Sequence, residues 1–323
     1  MYHGILNVYK EKGYTSFDVV AKLRGICGQR KIGHTGTLDP DAEGVLPVCL
    51  GNAAKVCDLL TGREKEYRVR MLLGVETDTQ DMSGTVLARR ETGSLSPEWI
   101  REVCSRHVGA QLQIPPMYSA LKINGQKLCD LARKGEVVER TPRPVTIYEL
   151  EIEEISIPEV CLRVRCSKGT YIRTLCHDIG GELGCGAAVR DLLRTEAAGW
   201  RLEDARTLSE IETLQSQGLL ETVLVPVENV FSDLPARQTL PAADKKLQNG
   251  NALRSSEIVQ EQGTCVHRRN SAQNRWETGC PQEENIVTDS LPRVRMYDSA
   301  GHFLAVYCFD ESGSCYLPVK MFL

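Results

Sequence analysis

The stretch "GHTGTLDPDAEG", residues 33–44, packs three glycines, two threonines, a proline, two aspartates and a glutamate into twelve positions. It follows the polar and basic run Gln29-Arg30-Lys31 and leads into the apolar run Val45-Leu46-Pro47-Val48-Cys49-Leu50. A connection between two buried segments needs turn residues, and Gly, Asp and Pro supply them. That accounts for Gly33, Gly36 and Gly44. It leaves His34 and Asp39 unexplained, on one loop beside Arg30 and Lys31. A carboxylate in that setting is a nucleophile or base, a metal ligand, or the hinge of an Asx-turn. The segment itself carries too few ligands for a metal site, so none is expected.

Working outward, Gly4 to Val8 has the pattern of a short strand. Thr15 followed by Asp18 matches a capping box, and Phe17, Val20, Leu23 and Ile26 have helical spacing. Val45 to Leu50 is expected as a buried strand and Asn52 to Leu60 as a short helix. From Glu66 to Gly74 the chain alternates, with Tyr67, Val69, Met71 and Leu73 on one face and Arg68 and Arg70 on the other, as in a half-buried strand. Ser96-Pro97 opens a helix to about His107. Val145 to Cys166 supplies two alternating strands, and helical patterns follow near 171–183 and 187–196.

The composition is that of a globular protein, 41% hydrophobic and 25% charged. With no charged-then-apolar leader and no apolar run of the roughly 18 residues a bilayer requires, a cytoplasmic location without membrane partners is expected. Thirteen cysteines without a CxxC pair are expected as reduced thiols, not disulfides or a zinc site. The net charge of −4 does not suggest nucleic acid. Its distribution does: Val19 to Leu38 holds Lys22, Arg24, Arg30 and Lys31 with no acid, and Cys161 to His177 holds Arg163, Arg165, Lys168 and Arg173 with no acid. Each is a solvated face or a phosphate-binding stripe.

Residues 112–145 mix prolines, glycines and six basic residues (Lys122, Lys127, Arg133, Lys134, Arg140 and Arg143) against three acids. A long functional loop or small subdomain is expected there, not a core element. After about residue 225 the texture changes again. "VENVFSDLPARQTLPAADKKL", 227–247, has the composition of a linker. A polar, aperiodic insertion occupies about 260–291. Residues 293–297, 303–309 and 316–321 have the pattern of short strands in a small β-domain. The division expected is therefore a first domain over 1–230 and a second over 235–323.

Five stretches carry a resemblance. "KIGHTGTLDPDAEGVLPVCLG" (31–51) resembles the catalytic motif of the tRNA pseudouridine synthase B (TruB) family. "GILNVYKEKGYTSFDVV" (4–20), "KEYRVRMLLG" (65–74), "QIPPMYSALKINGQKL" (113–128) and "VRCSKGTYIRTLCHDIG" (164–180) are similar to that family's other signatures, in the same order. The similarity runs over roughly residues 3–225, and the tail is similar, more weakly, to a small RNA-binding domain of the PUA type. The resemblance implies an α+β fold, with a catalytic domain on a central mixed, mainly antiparallel sheet flanked by helices. It implies isomerisation of uridine to pseudouridine at position 55 in the T-loop of tRNA, by base flipping and without a cofactor.

The same resemblance assigns the site. Asp39 is the essential aspartate, attacking the sugar or deprotonating it, and must be ionised. Burial alone would neutralise it, and a neighbouring guanidinium opposes this. Arg173 matches the arginine that pairs with it. Tyr67 is assigned stacking on the uracil and proton removal at carbon 5. Tyr171 hydrogen-bonds near the Asp–Arg pair, Leu192 walls the uracil pocket, and His34 occupies the space vacated by the flipped base. Segment 112–145 corresponds to a mobile loop closing over the T-loop. Arg30, Lys31, Lys122, Lys127 and Lys168 are expected to contact RNA. Cys129 departs from the pattern, standing where relatives carry an aromatic residue.

A tRNA-binding or tRNA-folding protein on the same scaffold with little catalysis is the alternative, disfavoured by the presence of Asp39, Tyr67 and Arg173 together. A guide-RNA-dependent relative would carry basic terminal extensions, and a nucleotide-binding enzyme a glycine-rich phosphate loop. Neither pattern is present. No obligate protein partner is implied, and a monomer is expected.

Overall fold

The computed structural model describes residues 1–123, 125–259 and 291–323. The 260–291 insertion therefore lies almost wholly outside the described residues. The chain divides into two compact units: Met1–Tyr2, Leu6–Cys49 and Cys57–Val223 form the first, and His3–Ile5, Leu50–Val56 and Leu224–Leu323 the second.

The first unit is built on a nine-stranded, mixed and mainly antiparallel sheet, an α+β architecture. Its main path runs Gly4–Lys10, Glu43–Leu50, Ala187–Ala197, Lys65–Leu73, Glu159–Cys166, Arg143–Ser156, Gly109–Gln113. The alternation seen from Glu66 onward becomes the central Lys65–Leu73 strand, whose Tyr67, Val69, Met71 and Leu73 point into the core. Helix Ile172–Glu182 covers that face with Ile172, Leu175, Cys176 and Ile179. Helix Pro97–Arg106 adds Ile100, Val103 and Cys104. Helix Ser16–Cys27 starts at a complete Thr15–Asp18 capping box.

Three sequence expectations are corrected. The helical pattern at 187–196 is a strand, Ala187–Ala197, pairing antiparallel with Lys65–Leu73 and parallel with Glu43–Leu50. Register shifts between Val189 and Asp191 and between Arg194 and Glu196 interrupt its alternation. Such bulges hide the period of two that marks a strand. The stretch 227–247 is not a linker. It folds into the second unit, with Val227, Val230, Ala243 and Leu247 buried. Asn52–Leu60 is a 3-10 turn, Gly51–Val56, followed by one short helix, Cys57–Thr61.

Segment 112–145 is more regular than its composition suggests. It contains the hairpin Lys122–Ile123/Gln126–Lys127 and the helix Leu128–Arg133, anchored by buried Leu128 and Leu131. The second unit carries a five-stranded sheet in the order Ala236–Gln238, Arg293–Tyr297, Phe303–Asp310, Cys315–Met321, Leu253–Arg254. Leu247, Leu253, Val294, Met296 and Tyr307 pack into its core.

Candidate active site

The loop between strands Ile32–His34 and Glu43–Leu50 is fastened on several sides. Ser16 Oγ accepts from Leu38 N at 2.9 Å. Lys10 Nζ, fully buried, donates to the Pro40 carbonyl at 3.1 Å. Gly13 N donates to the same carbonyl at 2.9 Å. Burial pushes the Lys10 ammonium down to about 8, against the opposing pull of Asp39, Glu43 and Asp41. Gly44 has φ +106, and a Cβ there would stand 2.2 Å from the Arg194 carbonyl oxygen. Only glycine permits that backbone approach.

Asp39 is presented from this loop to Arg173, which stands in the first turn of helix Ile172–Glu182. Arg173 Nε lies 2.9 Å from Asp39 Oδ2, and its Nη2 donates to Oδ1 at 3.1 Å, a two-point grip. The remaining donors are also engaged. Nη1 donates to the Thr79 carbonyl at 2.8 Å and faces Asp81 Oδ2 at 3.3 Å, and Nη2 reaches the Tyr118 carbonyl at 2.9 Å. The arginine is 5% exposed and cannot swing away. The Asp39 side chain stays 38% accessible from the cleft, yet protein crowds around it. Burial is the larger influence and pushes its carboxyl above the ordinary value. Arg173 opposes that push, and the Asp81 carboxylate reinforces it.

A cavity of about 220 Å³ opens in front of the pair, lined among others by Lys12, Asp41, Asp81, Arg190 and Leu192. Leu192 thus faces the carboxylate while packing on the core. Tyr67 is 8% exposed on the sheet, and burial pushes its phenol up while Arg194 opposes. Tyr171 caps the helix that carries Arg173. Its N–H donates to Gln113 Oε1 at 2.8 Å and its carbonyl accepts from Gln113 Nε2 at 3.0 Å. Burial raises its phenol too.

His34 ends its strand half-buried, with Nδ1 accepting from Gly36 N at 3.3 Å. Burial pushes its imidazole below the ordinary value. It does not line the cavity. Arg30, Lys31, Lys122, Lys127 and Lys168 are exposed, and Lys122 pairs in register with Lys127 across the short hairpin. Among the described residues no cluster of His, Cys, Asp and Glu could hold a metal, and no helix is long and apolar enough to cross a membrane.

Sequence reasoning missed Asp81 and Arg194. Asp81 lies in the turn-rich stretch Thr77–Thr85, where an aspartate looks like turn chemistry. It does make turn bonds, accepting from Thr79 Oγ1 at 2.7 Å and Ser83 N at 3.0 Å, while its other oxygen faces Arg173. Arg194 is one of two arginines in the mixed run AAVRDLLRTEA, and nothing in that run sets it apart from Arg190.

The nine-stranded fold recurs in solved structures. One, titled as a Cbf5-Nop10-Gar1 complex, superposes with a TM-score of 0.68 at 24% identity over 99% of this chain and 85% of that one. An archaeal box H/ACA sRNP Nop10-Cbf5 complex gives 0.66 at 24%, covering 99% and 86%. The family model "TruB family pseudouridylate synthase (N terminal domain)" matches residues 24–172, and "tRNA pseudouridylate synthase B C-terminal domain" matches 173–232. A tRNA pseudouridine synthase B of Lachnoclostridium phytofermentans is 47% identical over 99% of this chain and its own whole length. One of Alkaliphilus oremlandii is 46% identical over 80% of this chain and 85% of that protein. The class defined is that of the pseudouridine-forming isomerases. Within it, the chain belongs to the TruB family.

Proposed function

We propose that this enzyme converts uridine 55 in the T-loop of tRNA to pseudouridine. The observation that carries the reading is the two-point grip of Arg173 on Asp39 at the wall of a cleft. The reaction is balanced in atoms and electrons. The bond from the sugar to ring nitrogen 1 breaks, the uracil turns, and a bond to ring carbon 5 forms. Carbon 5 then loses its proton and nitrogen 1 gains one. Nothing is oxidised or reduced, so the chemistry needs positioning and acid–base groups, not a redox cofactor.

Asp39, its charge favoured by Arg173 against the larger push of burial, attacks or deprotonates the sugar. Tyr67 stacks on the uracil and removes the carbon 5 proton. Leu192 walls the base, and Tyr171 steadies the Asp39–Arg173 pair. His34 fills the gap left when the nucleotide leaves the stack, a step that costs a few kcal/mol. Segment 112–145 closes over the T-arm. Lys122, Lys127, Arg30, Lys31 and Lys168 hold phosphates, so affinity falls as salt rises. The first unit, up to Val223, forms the catalytic domain and the second, with Leu224–Leu323, a PUA-type RNA-binding domain, and the protein acts as a monomer without an obligate partner.

The test is to incubate the protein with an unmodified tRNA transcript and map pseudouridine by position. Product at residue 55 alone is expected, and product elsewhere with none at 55 would overturn the assignment. For the second domain, Lys245→Glu combined with Arg254→Glu should weaken tRNA binding more than the single-turnover rate. Unchanged affinity would remove its RNA-binding role.

A further inference from the structure

Arg194 is 1% exposed, the largest of the fully buried side chains. Its partners are backbone carbonyls: Nε donates to Val45 at 2.7 Å, Nη1 to Thr37 at 3.4 Å and Nη2 to Gly36 at 3.3 Å. Three of its five N–H groups are thereby used, and one remains on each terminal nitrogen. Carbonyls solvate a guanidinium but do not cancel its charge. A buried cation held without a carboxylate is costly, which makes its retention informative.

The register shows where that charge points. Arg194 is the direct cross-strand partner of Tyr67 in the antiparallel pairing of Ala187–Ala197 with Lys65–Leu73. Directly opposed residues on adjacent strands project to the same face, a few ångströms apart. The Arg194 charge therefore bears on the Tyr67 phenol from the facing position, opposing the push of burial. The other titratable groups bearing on that phenol are Cys166 from the neighbouring strand, its thiol pushed by burial up to about 12, and Asp39 from the loop. A thiol at that value is neutral, and the Asp39 carboxylate disfavours a phenolate. Arg194 supplies the opposing positive charge. Burial pushes His34, Lys10 and Lys65 down, away from protonation, and the Arg194 charge adds to that push.

We propose that Arg194 is the positioning residue for proton removal, joining the Tyr67 phenol and the Gly36–Thr37 stretch of the catalytic loop through one buried guanidinium and favouring the phenolate that accepts the proton. The inference rests on the role given to Tyr67 above. In the step it serves, the carbon 5–hydrogen bond breaks, its electron pair returns to the ring as nitrogen 1 takes up a proton, and a new O–H bond forms on the tyrosine.

The experiment uses the full chain carrying Arg194→Gln or Arg194→Lys, with Tyr67→Phe as reference. Single-turnover rates are measured across pH on tRNA carrying uridine with hydrogen or deuterium at carbon 5. Ionisation of Tyr67 is followed separately by tyrosinate absorbance, subtracting the Tyr67→Phe protein. Arg194→Gln should slow product formation about 100-fold, the loss typical of removing one preorganised donor. It should also enlarge the isotope effect and move Tyr67 ionisation to higher pH. Arg194→Lys keeps the charge but not the fork. It should leave the Tyr67 ionisation pH near that of the wild type while remaining slower, and it serves if the glutamine variant does not fold. An unchanged ionisation pH in Arg194→Gln, or one raised in Arg194→Lys, overturns the proposal whatever the rate. A wild-type rate in Tyr67→Phe would remove the tyrosine from the chemistry and the proposal with it.

Discussion

Asp39 and Asp81 share one guanidinium: Arg173 grips the first with Nε and Nη2 and faces the second with Nη1. The two carboxylates are not equivalent. Asp81 spends its other oxygen on Thr79 and Ser83. Asp39 keeps a face to the cleft. Both line the cavity, but the Asp39 side chain is 38% accessible and that of Asp81 16%, so in the reading proposed above Asp39 meets substrate and Asp81 supports it.

Replacing the exposed member tests the chemistry directly. Asp39→Asn preserves shape and removes the charge. Product formation on a tRNA transcript should fall by on the order of 10⁴-fold, with tRNA affinity nearly unchanged. Turnover at the wild-type rate would exclude Asp39 as nucleophile or base.

The acid side of the pH–rate profile reports the same carboxyl. Burial raises it, so activity should fade as pH drops through a value above the ordinary carboxylate range. In Asp81→Asn a neighbouring negative charge is gone. The pKa of Asp39 should then fall and the acid limb move to lower pH, while the plateau drops because Arg173 has lost a support. A limb moving the other way would show that Asp81 acts on Asp39 mainly through the placement of Arg173.

Gly44→Ala probes the loop without touching a polar group. At φ +106, with a Cβ 2.2 Å from the Arg194 carbonyl oxygen, the backbone must shift. A loss of about 3 kcal/mol in chemical denaturation is expected, accompanied by loss of activity. Wild-type stability would mean that the two strands can part there.

Lys10 links stability to pH. Its folded value of about 8 lies below the ordinary lysine value of 10.5. Between these values the unfolded chain binds more protons, so the contribution of Lys10 to stability rises with pH across that window and is smallest below it. Wild-type protein should gain about 2 kcal/mol relative to Lys10→Met between pH 8 and pH 10.5, read from denaturant midpoints. A constant difference would mean that Lys10 titrates normally.

Much of the fold could be read from side-chain period. The alternating run 66–74 is a strand because its neighbours bury one face, and the Thr15–Asp18 box starts a helix because both capping bonds form. Ala187–Ala197 does not read as a strand because two bulges break its alternation, so its apolar and charged residues follow no steady period of two. The pairing of Asp39 with Arg173 came from motif resemblance, since 134 residues separate them. No local pattern joins them. Asp81 and Arg194 escaped for related reasons: one is disguised as a turn residue, and the other acts through a register that exists only once the sheet has formed.

The second unit draws on three separated pieces of chain. Ile5 bridges to Val225, and Asn52 Nδ2 donates to the Phe322 carbonyl at 2.8 Å. Those two residues leave the ribosome early and meet their partners only after 220 and 270 more positions respectively. A fragment starting at 224 would lack both pieces. Folding of this unit therefore joins pieces of chain made early to the long stretch made late.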